Sequence, residues 1–374
     1  MLTLAAKPLF AANNKVLAFV GAYTDRGKGI HIFEVESDGG LKPVDVLTGV
    51  ASPSYLALSR NNKFLYAVSE GSGTGAVTAL SVASDGSLKV INSCSSGGRG
   101  PAHLSLDPTG KFILVANYAG GSAAVVAINP DGSVDKPTDT YALPKGPYGK
   151  QPAADAPPGS FAISGHEAPH AHQAVTDPSG NHVYVCDLAT DRVYIFNLDR
   201  SAGKLTPAAK PFVQASAGAG PRNLVFHPNG KWVYCLNEES STLDFMTYDP
   251  SDGSLTIKKS ITSLPAGFAG TSFAAEIHLS LDGRYVYAAN RLCNTIGTFA
   301  IGKDGTLKES GQYWARGDYP RGLAIEPQGR FFFAAHSRSD NITSFRIDRR
   351  SGALKFTGKY IPVGNPSKMV FVTV

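Results

Sequence analysis

Asp38-Gly39-Gly40-Leu41 is the first of seven related turn segments that run the length of this chain and decide its fold. The later copies are Asp85-Gly86-Ser87-Leu88, Asp131-Gly132-Ser133-Val134, Gly203-Lys204-Leu205, Asp252-Gly253-Ser254-Leu255, Asp304-Gly305-Thr306-Leu307 and Ser351-Gly352-Ala353-Leu354. Each follows a run rich in Val, Ile, Phe or Tyr, and Asp-Gly between such runs predicts a two-residue hairpin turn with positive φ. Where the spacing is regular, the copies recur roughly every 46 to 49 residues. Such a period, built only from strand signals, is typical of β-propeller blades.

A second repeated segment lies between these turns. It consists of an apolar strand, a turn of the form Pro-x-Gly-Lys/Arg and a second apolar strand. Six copies begin at or near Pro53, Pro101, Pro169, Pro221, Ala275 and Pro320. Proline presets φ at the first turn position, and glycine accepts the left-handed conformation later in the turn.

The seventh copy is predicted to form from the two ends of the chain. The segment Pro366–Phe371 supplies one strand and Lys15–Gly21 supplies its partner. We therefore predict an all-β fold, a seven-bladed β-propeller with four antiparallel strands per blade. Closure of the ring by N- and C-terminal strands removes edges that would otherwise pair with other chains.

Composition indicates one globular domain rather than several. The chain has 374 residues, 43% hydrophobic and 17% charged, and repeats of this kind bury their faces only against neighbours. We expect residues 15–374 to form a single propeller domain, with 1–14 a disordered tail or the remnant of a signal peptide. The net charge of +5 is spread without a basic cluster, which argues against nucleic acid as a partner. No apolar run is long enough to span a membrane, and we expect a monomer or weak homo-oligomer.

Cysteine usage suggests a compartment. The four cysteines form no C-x-x-C pair and are expected to be free thiols, which fits a reducing environment. A cytoplasmic location follows, with a periplasmic or secreted location as the alternative if residues 1–14 are a signal remnant.

One insertion interrupts the regular spacing. About 20 extra residues, rich in Pro, Gly and Ala, lie within residues 136–168, directly before Pro169-His170-Ala171-His172. Long loops in a compact repeat are usually functional, so we expect this segment to lie near the site. A tolerated surface insertion is the alternative.

Topology predicts where polar residues converge. In each blade the first strand leaves one face and the second returns to it, so residues before the first strand and after the second meet at one end of the channel. The residues that follow the second strands are Asn117-Tyr118, Asp187-Leu188, Asn237-Glu238, Asn290-Arg291 and His336-Ser337. The residues at the first strands are His103, His170, His172, Arg222, Glu276, His278 and Arg321. A pocket with convergent polar groups is the default hypothesis for an active site.

The residue types suggest roles for these groups. Clustered guanidinium groups at Arg222, Arg291 and Arg321 suit a phosphate or carboxylate. His172 is the best candidate for a general base, because histidine titrates near neutral pH.

Several alternatives stay open at this point. Asp187 could orient the His172 imidazole or form a structural pair with Arg192, and His103 and His278 could simply bond neighbouring blades. Oxygen ligands at Asn117, Asp187, Asn237, Glu238 and Asn290 could bind Ca²⁺, although the arginines would repel a cation.

Several segments carry a family resemblance. They are Glu167-Ala168-Pro169-His170-Ala171-His172, Asp187–Val193, Gly220-Pro221-Arg222, Phe226–Lys231, Asn237-Glu238, Glu276-Ile277-His278, Ala289-Asn290-Arg291 and Ser339–Ile342. In order and spacing the chain resembles, from about Val20 to Val370, the seven-bladed propeller lactonase family. That family includes propeller-type 6-phosphogluconolactonases and fungal carboxy-muconate lactonising enzymes.

The resemblance implies a site that needs neither metal nor cofactor. Its catalytic residues would be His172, Arg222, Glu238 and Arg291, with His170 as the neighbour of His172. The strand-end topology adds further expected substrate contacts, Arg321, Asp187, His103, Glu276 and His278, beside His170. The expected activity is hydrolysis of a small anionic sugar lactone, 6-phosphogluconolactone or a related aldonolactone, in carbohydrate metabolism. A muconate-type cyclase and a non-enzymatic binding scaffold are the alternatives. Family members often carry His after the Pro-Arg pair, where this chain has Asn223 and Gly322, which puts the phosphorylated substrate in doubt.

Overall fold

The computed structural model describes residues 15–71, 73–146 and 167–374. Within them, 28 strands form seven four-stranded antiparallel sheets. The inner strands of the sheets are β4 (Leu56–Leu58), β8 (Pro101–Leu106), β12 (Ala171–Thr176), β16 (Pro221–Phe226), β20 (Phe273–Leu279), β24 (Pro320–Ile325) and β28 (Pro366–Thr373). The second strands are β1 (Val16–Ala22), β5 (Phe64–Ser69), β9 (Phe112–Asn117), β13 (His182–Asp187), β17 (Trp232–Asn237), β21 (Tyr285–Arg291) and β25 (Phe331–His336).

The outer half of each sheet completes the blade. The third strands are β2 (Ile30–Val35), β6 (Thr74–Val82), β10 (Ser122–Ile128), β14 (Arg192–Asp199), β18 (Thr242–Tyr248), β22 (Thr295–Ile301) and β26 (Asn341–Ile347). The outermost strands are β3 (Leu41–Leu47), β7 (Leu88–Arg99), β11 (Val134–Ala142), β15 (Lys204–Gln214), β19 (Leu255–Thr262), β23 (Leu307–Trp314) and β27 (Leu354–Pro362). The predicted seven-bladed propeller is confirmed.

The ring closes as predicted. Strand β28 pairs antiparallel with β1, with Phe19 opposite Val370, and the sheet order is β28-β1-β2-β3. Each inner strand contacts the inner strand of the next blade, from β4 round to β28 and back to β4. We number the closing blade 1 and the others 2 to 7 in chain order.

The hydrophobic core is divided among the seven interfaces between blades. Seven buried clusters occur, and each joins side chains of two adjacent blades. The second strands supply both sides, because neighbouring residues of a strand point to opposite faces. Tyr184, for example, packs towards blade 5, whereas Val183 and Val185 pack towards blade 3.

The Asp-Gly turns join the third and outermost strands, and tyrosines fix several of them. The second-strand tyrosines Tyr66, Tyr184, Tyr234 and Tyr287 each donate a hydrogen bond to the carbonyl of the turn glycine in the next blade, at 2.6 to 3.2 Å. Each such buried hydrogen bond contributes about 1 kcal/mol. The repeated turn therefore stabilises the interface between blades as well as the hairpin.

The turn type differs from the prediction. In four blades the glycine N–H bonds a carbonyl three residues earlier, as from Gly39 to Glu36, and only the glycine has positive φ, 90° at Gly39. The turn aspartate accepts a hydrogen bond from the backbone two residues on, 3.0 Å from Asp38 to Gly40 N, which holds the aspartate right-handed. The result is a three-residue loop with a glycine bulge, not a two-residue primed turn.

The first residues of the range predicted to hold the insertion belong to a strand. Residues 136–142 belong to strand β11, the outermost strand of blade 3, and β12 begins at Ala171. Residues 147–166 and the expected tail 1–14 lie outside the described residues, so the position of the insertion near the site and the signal remnant stay predictions. Among the residues described, no helix is long and apolar enough to cross a membrane.

Candidate active site

Three inner strands present their key side chain from the same place, a β-bulge one residue after the strand begins. In β12, β16 and β24 the register with the second strand shifts around His172, Arg222 and Arg321, which each have no partner residue of their own. A bulge re-aims the side chain of the extra residue, and here all three turn into the central channel. In β8 the equivalent residue is Ala102, not His103 as the sequence suggested.

Residues at the ends of the second strands complete the site. Tyr118, Glu238 and Glu70 follow β9, β17 and β5, and Arg291 ends β21 at the corresponding position. With Ala102, His172 and Arg321 these four line a cavity of about 190 Å³. The predicted convergence of His172, Glu238, Arg291 and Arg321 on one opening is therefore present, with Arg222 directly beneath in an adjoining pocket.

Two guanidinium groups share one carboxylate at the wall of the cavity. Arg222 Nε lies 2.7 Å and Arg291 Nη2 lies 2.8 Å from Oε2 of Glu238, and all three side chains are buried. Burial alone would raise the pKa of Glu238, but Arg291 and Arg222 lower it below its ordinary value, so Glu238 is ionised. Burial and the nearby Arg291 lower the pKa of Arg222 to about 10. Removing one member of such a buried cluster leaves an uncompensated charge.

Backbone carbonyls and two neighbouring side chains hold both arginines further. Arg222 Nη1 donates to Asn223 Oδ1 at 2.7 Å and to the carbonyl of Ala275. Arg291 Nη2 donates to Ala274 O at 3.0 Å and its guanidinium lies over the ring of Tyr319 at 5.0 Å. These two arginines are therefore rigidly positioned before any substrate binds.

Arg321 is held by a separate network at the opposite wall. Its Nη2 donates to Tyr23 OH at 2.6 Å and lies 3.8 Å from Glu70 Oε2. Tyr23 OH and Ser54 Oγ each donate to the same Glu70 oxygen at 2.5 Å. Arg321 thus makes fewer close contacts with protein groups than Arg222 or Arg291.

His172 is a neutral imidazole among cations. Burial is the largest cause that lowers its pKa well below 6.5, and Arg222, Arg321 and Arg291 lower it further. Its ring meets Tyr118 edge-on at 5.8 Å, and among the described residues no group forms a hydrogen bond with its buried Nδ1. An unprotonated imidazole can accept a proton, although so low a pKa makes it a weak base.

A second cluster forms the floor of the channel. Glu276 is bound by Lys368 Nζ, by Leu323 N at 2.7 Å and by His278 Nε2 at 3.4 Å. Burial opposes the charge on both Glu276 and Lys368, but their attraction dominates, so the pKa of Glu276 is lowered and that of Lys368 is raised. The pair is ionised and joins blades 6, 7 and 1.

Of the six predicted substrate contacts, only Arg321 is among the described residues that line the cavity, and Glu276 lines the pocket beneath it. His170 stacks on Tyr118 at 4.4 Å, and its Nε2 lies 3.4 Å from Glu167. His103 packs on Tyr55 with the two rings tilted and their centroids 4.2 Å apart, and burial lowers the pKa of His103 to about 3. His278 reaches the site only through Glu276.

Asp187 adopts neither of the roles considered for it. Its carboxylate accepts hydrogen bonds from the backbone N–H of His170 and from Thr190 Oγ1. Arg192 instead donates to Gln214 and lies over Phe212, so the Asp187–Arg192 pair is wrong, and Asp187 does not orient His172. The aspartate serves to fix the loop that carries the histidines.

The asparagines considered as Ca²⁺ ligands hold blade ends together. Asn117 donates to Ser96 O, Asn237 to Thr242 and Asp244, and Asn290 to Ser263 O, at 2.8 to 3.0 Å. Their side chains point between strands rather than towards one common point.

Glu70 was missed although a signal for it exists. In the other blades the site position lies eight residues after the turn glycine, but in blade 2 Asn62 replaces that glycine. Asn62 adopts the same left-handed conformation, with φ 58°, so counting from it leads to Glu70. Tyr55 and Lys368 also had a signal, because each stands two residues after a repeat proline, as His103 does after Pro101.

The two departures from the family pattern differ in position. Asn223 lines the pocket beneath the cavity and orients Arg222. Gly322 lies outside both pockets, and a Cβ there would sit 1.7 Å from Ser367 O of the closing strand. Gly322 is therefore required for packing against the closing strand.

Comparisons with known proteins agree with this arrangement. A family model described as "Lactonase, 7-bladed beta-propeller" matches residues 17–371. The chain is 30% identical over 363 residues to the 6-phosphogluconolactonase of Bacillus subtilis strain 168, covering 96% of this chain and 99% of that protein. A 6-phosphogluconolactonase of Yersinia pseudotuberculosis is 36% identical over 198 residues, 53% of this chain and only 59% of that protein. The structure of the periplasmic gluconolactonase of Pseudomonas aeruginosa superposes with TM-score 0.86 at 28% identity, covering 96% of this chain and 99% of that one.

Proposed function

Since the chain belongs to the seven-bladed β-propeller lactonase family, we propose that it hydrolyses a sugar lactone, with His172 as general base. One observation supports this proposal most strongly. The neutral imidazole of His172 and the guanidinium groups of Arg291 and Arg321 line the same cavity of about 190 Å³. Relatives named 6-phosphogluconolactonase and gluconolactonase support a sugar lactone, so the candidates are 6-phosphogluconolactone and related aldonolactones.

In the proposed reaction His172 removes a proton from water while the water oxygen attacks the lactone carbonyl carbon. The carbonyl carbon becomes tetrahedral and its oxygen becomes an oxyanion. The preorganised cations stabilise this oxyanion without having to reorganise. The ring C–O bond then breaks, and the proton held by His172 passes to the departing ring oxygen. The net change adds one water and yields the open hydroxy acid.

We propose that the three arginines have two different roles. Arg222 and Arg291 are anchored through Glu238, so they suit the oxyanion, whose position must be fixed. Arg321 keeps donor capacity beyond Tyr23 and suits a contact with the substrate. We further propose that no metal ion takes part, because the Glu238 carboxylate is already shared by Arg222 and Arg291, which would repel a divalent cation there.

A lactone panel tests the proposal. The purified protein and the variants His172→Asn and Arg222→Ala are assayed by acid release, with a no-enzyme control for spontaneous hydrolysis and with a strong chelator present. We expect kcat/KM to fall 10²- to 10⁴-fold in His172→Asn and at least about 100-fold in Arg222→Ala. Glu309→Gln, on the exposed edge of β23, is the control with unchanged rates. Undiminished rates in both site variants would remove the proposal, and loss of activity on chelation would remove its metal-free form.

A further inference from the structure

Glu70 lines the cavity but has no role in the proposed mechanism. It follows strand β5 at the position that Glu238 and Arg291 hold in their own blades, and it lines the cavity with Arg321. Its side chain is 21% exposed, which makes it more accessible than Glu238 at 8%. Glu70 therefore faces the space that a ligand would occupy.

The two carboxylate oxygens of Glu70 differ in their surroundings. Oε2 accepts hydrogen bonds from Tyr23 OH and Ser54 Oγ and faces Arg321. Burial is the main cause that raises the pKa of Tyr23, so its hydroxyl stays protonated and donates. Among the residues described, no group donates to Oε1. The carboxylate is therefore fixed through one oxygen and presents the other as an acceptor.

The charges around the cavity balance. Its lining carries two carboxylates, Glu70 and Glu238, and two guanidinium groups, Arg291 and Arg321, beside the neutral His172. Arg222 adds one positive charge behind Glu238. The charged group that faces Arg321 is an anion, Glu70 Oε2 at 3.8 Å, which weakens the attraction of that arginine for a phosphate.

On the premise of the proposed function, we propose that Glu70 is a specificity-determining residue that selects unphosphorylated polyhydroxy lactones. A sugar hydroxyl can donate a hydrogen bond to Oε1 while it or its neighbour accepts one from Arg321. A phosphate dianion has no proton to donate at neutral pH and is repelled by the carboxylate. Glu70 therefore favours the neutral lactone and opposes its phosphate ester.

The test compares δ-gluconolactone with its 6-phosphate ester in wild type and Glu70→Gln. Glutamine keeps the shape and one acceptor oxygen while removing the charge. The readout is the ratio of kcat/KM for the phosphorylated to the unphosphorylated lactone, since the ratio within one preparation cancels any difference in folded fraction. We expect the wild type to favour the unphosphorylated lactone and the ratio to rise at least about tenfold in Glu70→Gln. Glu309→Gln should leave the ratio unchanged.

Calorimetric binding of gluconate and 6-phosphogluconate separates the two hypotheses. Glu70→Gln should tighten binding of the phosphorylated acid at least about tenfold more than that of gluconate. If no lactone is hydrolysed but this shift occurs, the lactonase proposal fails and the role of Glu70 stands. If lactones are hydrolysed but neither ratio changes, or the wild type prefers the phosphate ester, the role of Glu70 is overturned.

Discussion

At the scale of single residues, the site depends on a histidine kept neutral by its neighbours. Burial and three guanidinium groups all act in the same direction on the pKa of His172. A base is useful only when unprotonated, so this environment keeps the whole population of His172 competent at neutral pH, at the cost of proton affinity. In the proposed mechanism, the cations that stabilise the oxyanion therefore also set the pH range of the base.

The pH profile tests this coupling. Because the pKa of His172 is lowered, kcat/KM corrected for spontaneous hydrolysis should be flat above about pH 6.5 and fall only at lower pH. Arg321→Gln removes one positive charge, so the acid limb should move to higher pH. Arg346→Gln, an exposed arginine of the same blade, is the matched control and should leave the limb in place. An acid limb that stays fixed in Arg321→Gln would show that Arg321 does not act on His172.

At the scale of strands, two inner strands approach so closely that a side chain cannot fit between them. A Cβ on Gly322 in β24 would lie 1.7 Å from Ser367 O in β28, and one on Gly21 in β1 would lie 2.0 Å from Pro53 O. Both contacts flank the closing blade, where the chain joins its own beginning. Glycine is required there because of backbone approach, not because of φ.

Two glycine variants separate backbone approach from backbone conformation. Gly230 has φ 67°, and a Cβ added there would meet no atom within 4 Å, so Gly230→Ala should cost only the left-handed strain, about 1 kcal/mol. Gly322→Ala must push two strands apart and should cost more than about 2 kcal/mol. Urea unfolding followed by circular dichroism measures both. Equal costs would mean that β28 moves aside freely.

The strands were predictable from the sequence because they repeat, whereas many side-chain partners were not. Proline, glycine and alternating apolar residues mark each blade locally, so even closure by β28 could be expected. The pairing of Glu238 with two arginines, and of Glu276 with Lys368, joins residues from different blades with no local pattern. Glu70 is an intermediate case, predictable only in part. Asn62 stands where the other blades have the turn glycine, so the spacing to Glu70 is recognised only when Asn62 is known to adopt the same left-handed φ.

At the scale of the whole molecule, buried neutral histidines make the propeller sensitive to acid. Burial lowers the pKa of His336 to about 4 and that of His103 to about 3. The unfolded chain binds these protons near pH 6.5 and the folded one does not, so stability falls as the pH drops below 6.5. Each such histidine removes about 1.4 kcal/mol per pH unit until its folded pKa is reached.

His336→Asn tests this share of the acid sensitivity. Three other blades have asparagine at the equivalent position, Asn117, Asn237 and Asn290, so the fold accommodates it. His336 bonds Thr343 Oγ1 at 2.8 Å, a contact an amide can replace in kind. Between pH 6 and pH 5 the loss of unfolding free energy should be smaller by about 1.4 kcal/mol in the variant. Urea midpoints at the two pH values measure it, and an unchanged difference would assign the sensitivity to other groups.

The closing strand also affects when activity can arise during synthesis. Lys368 and Ser367 of β28 line the pocket under Arg222, and Lys368 neutralises Glu276 there. Of the 28 strands, β28 is the last to leave the ribosome, and β1, its partner, is the first. A nascent chain halted before Pro366 would carry His172 and all three arginines yet lack the floor beneath them. Catalytic competence should therefore arise late, in one step, when the two ends of the propeller meet.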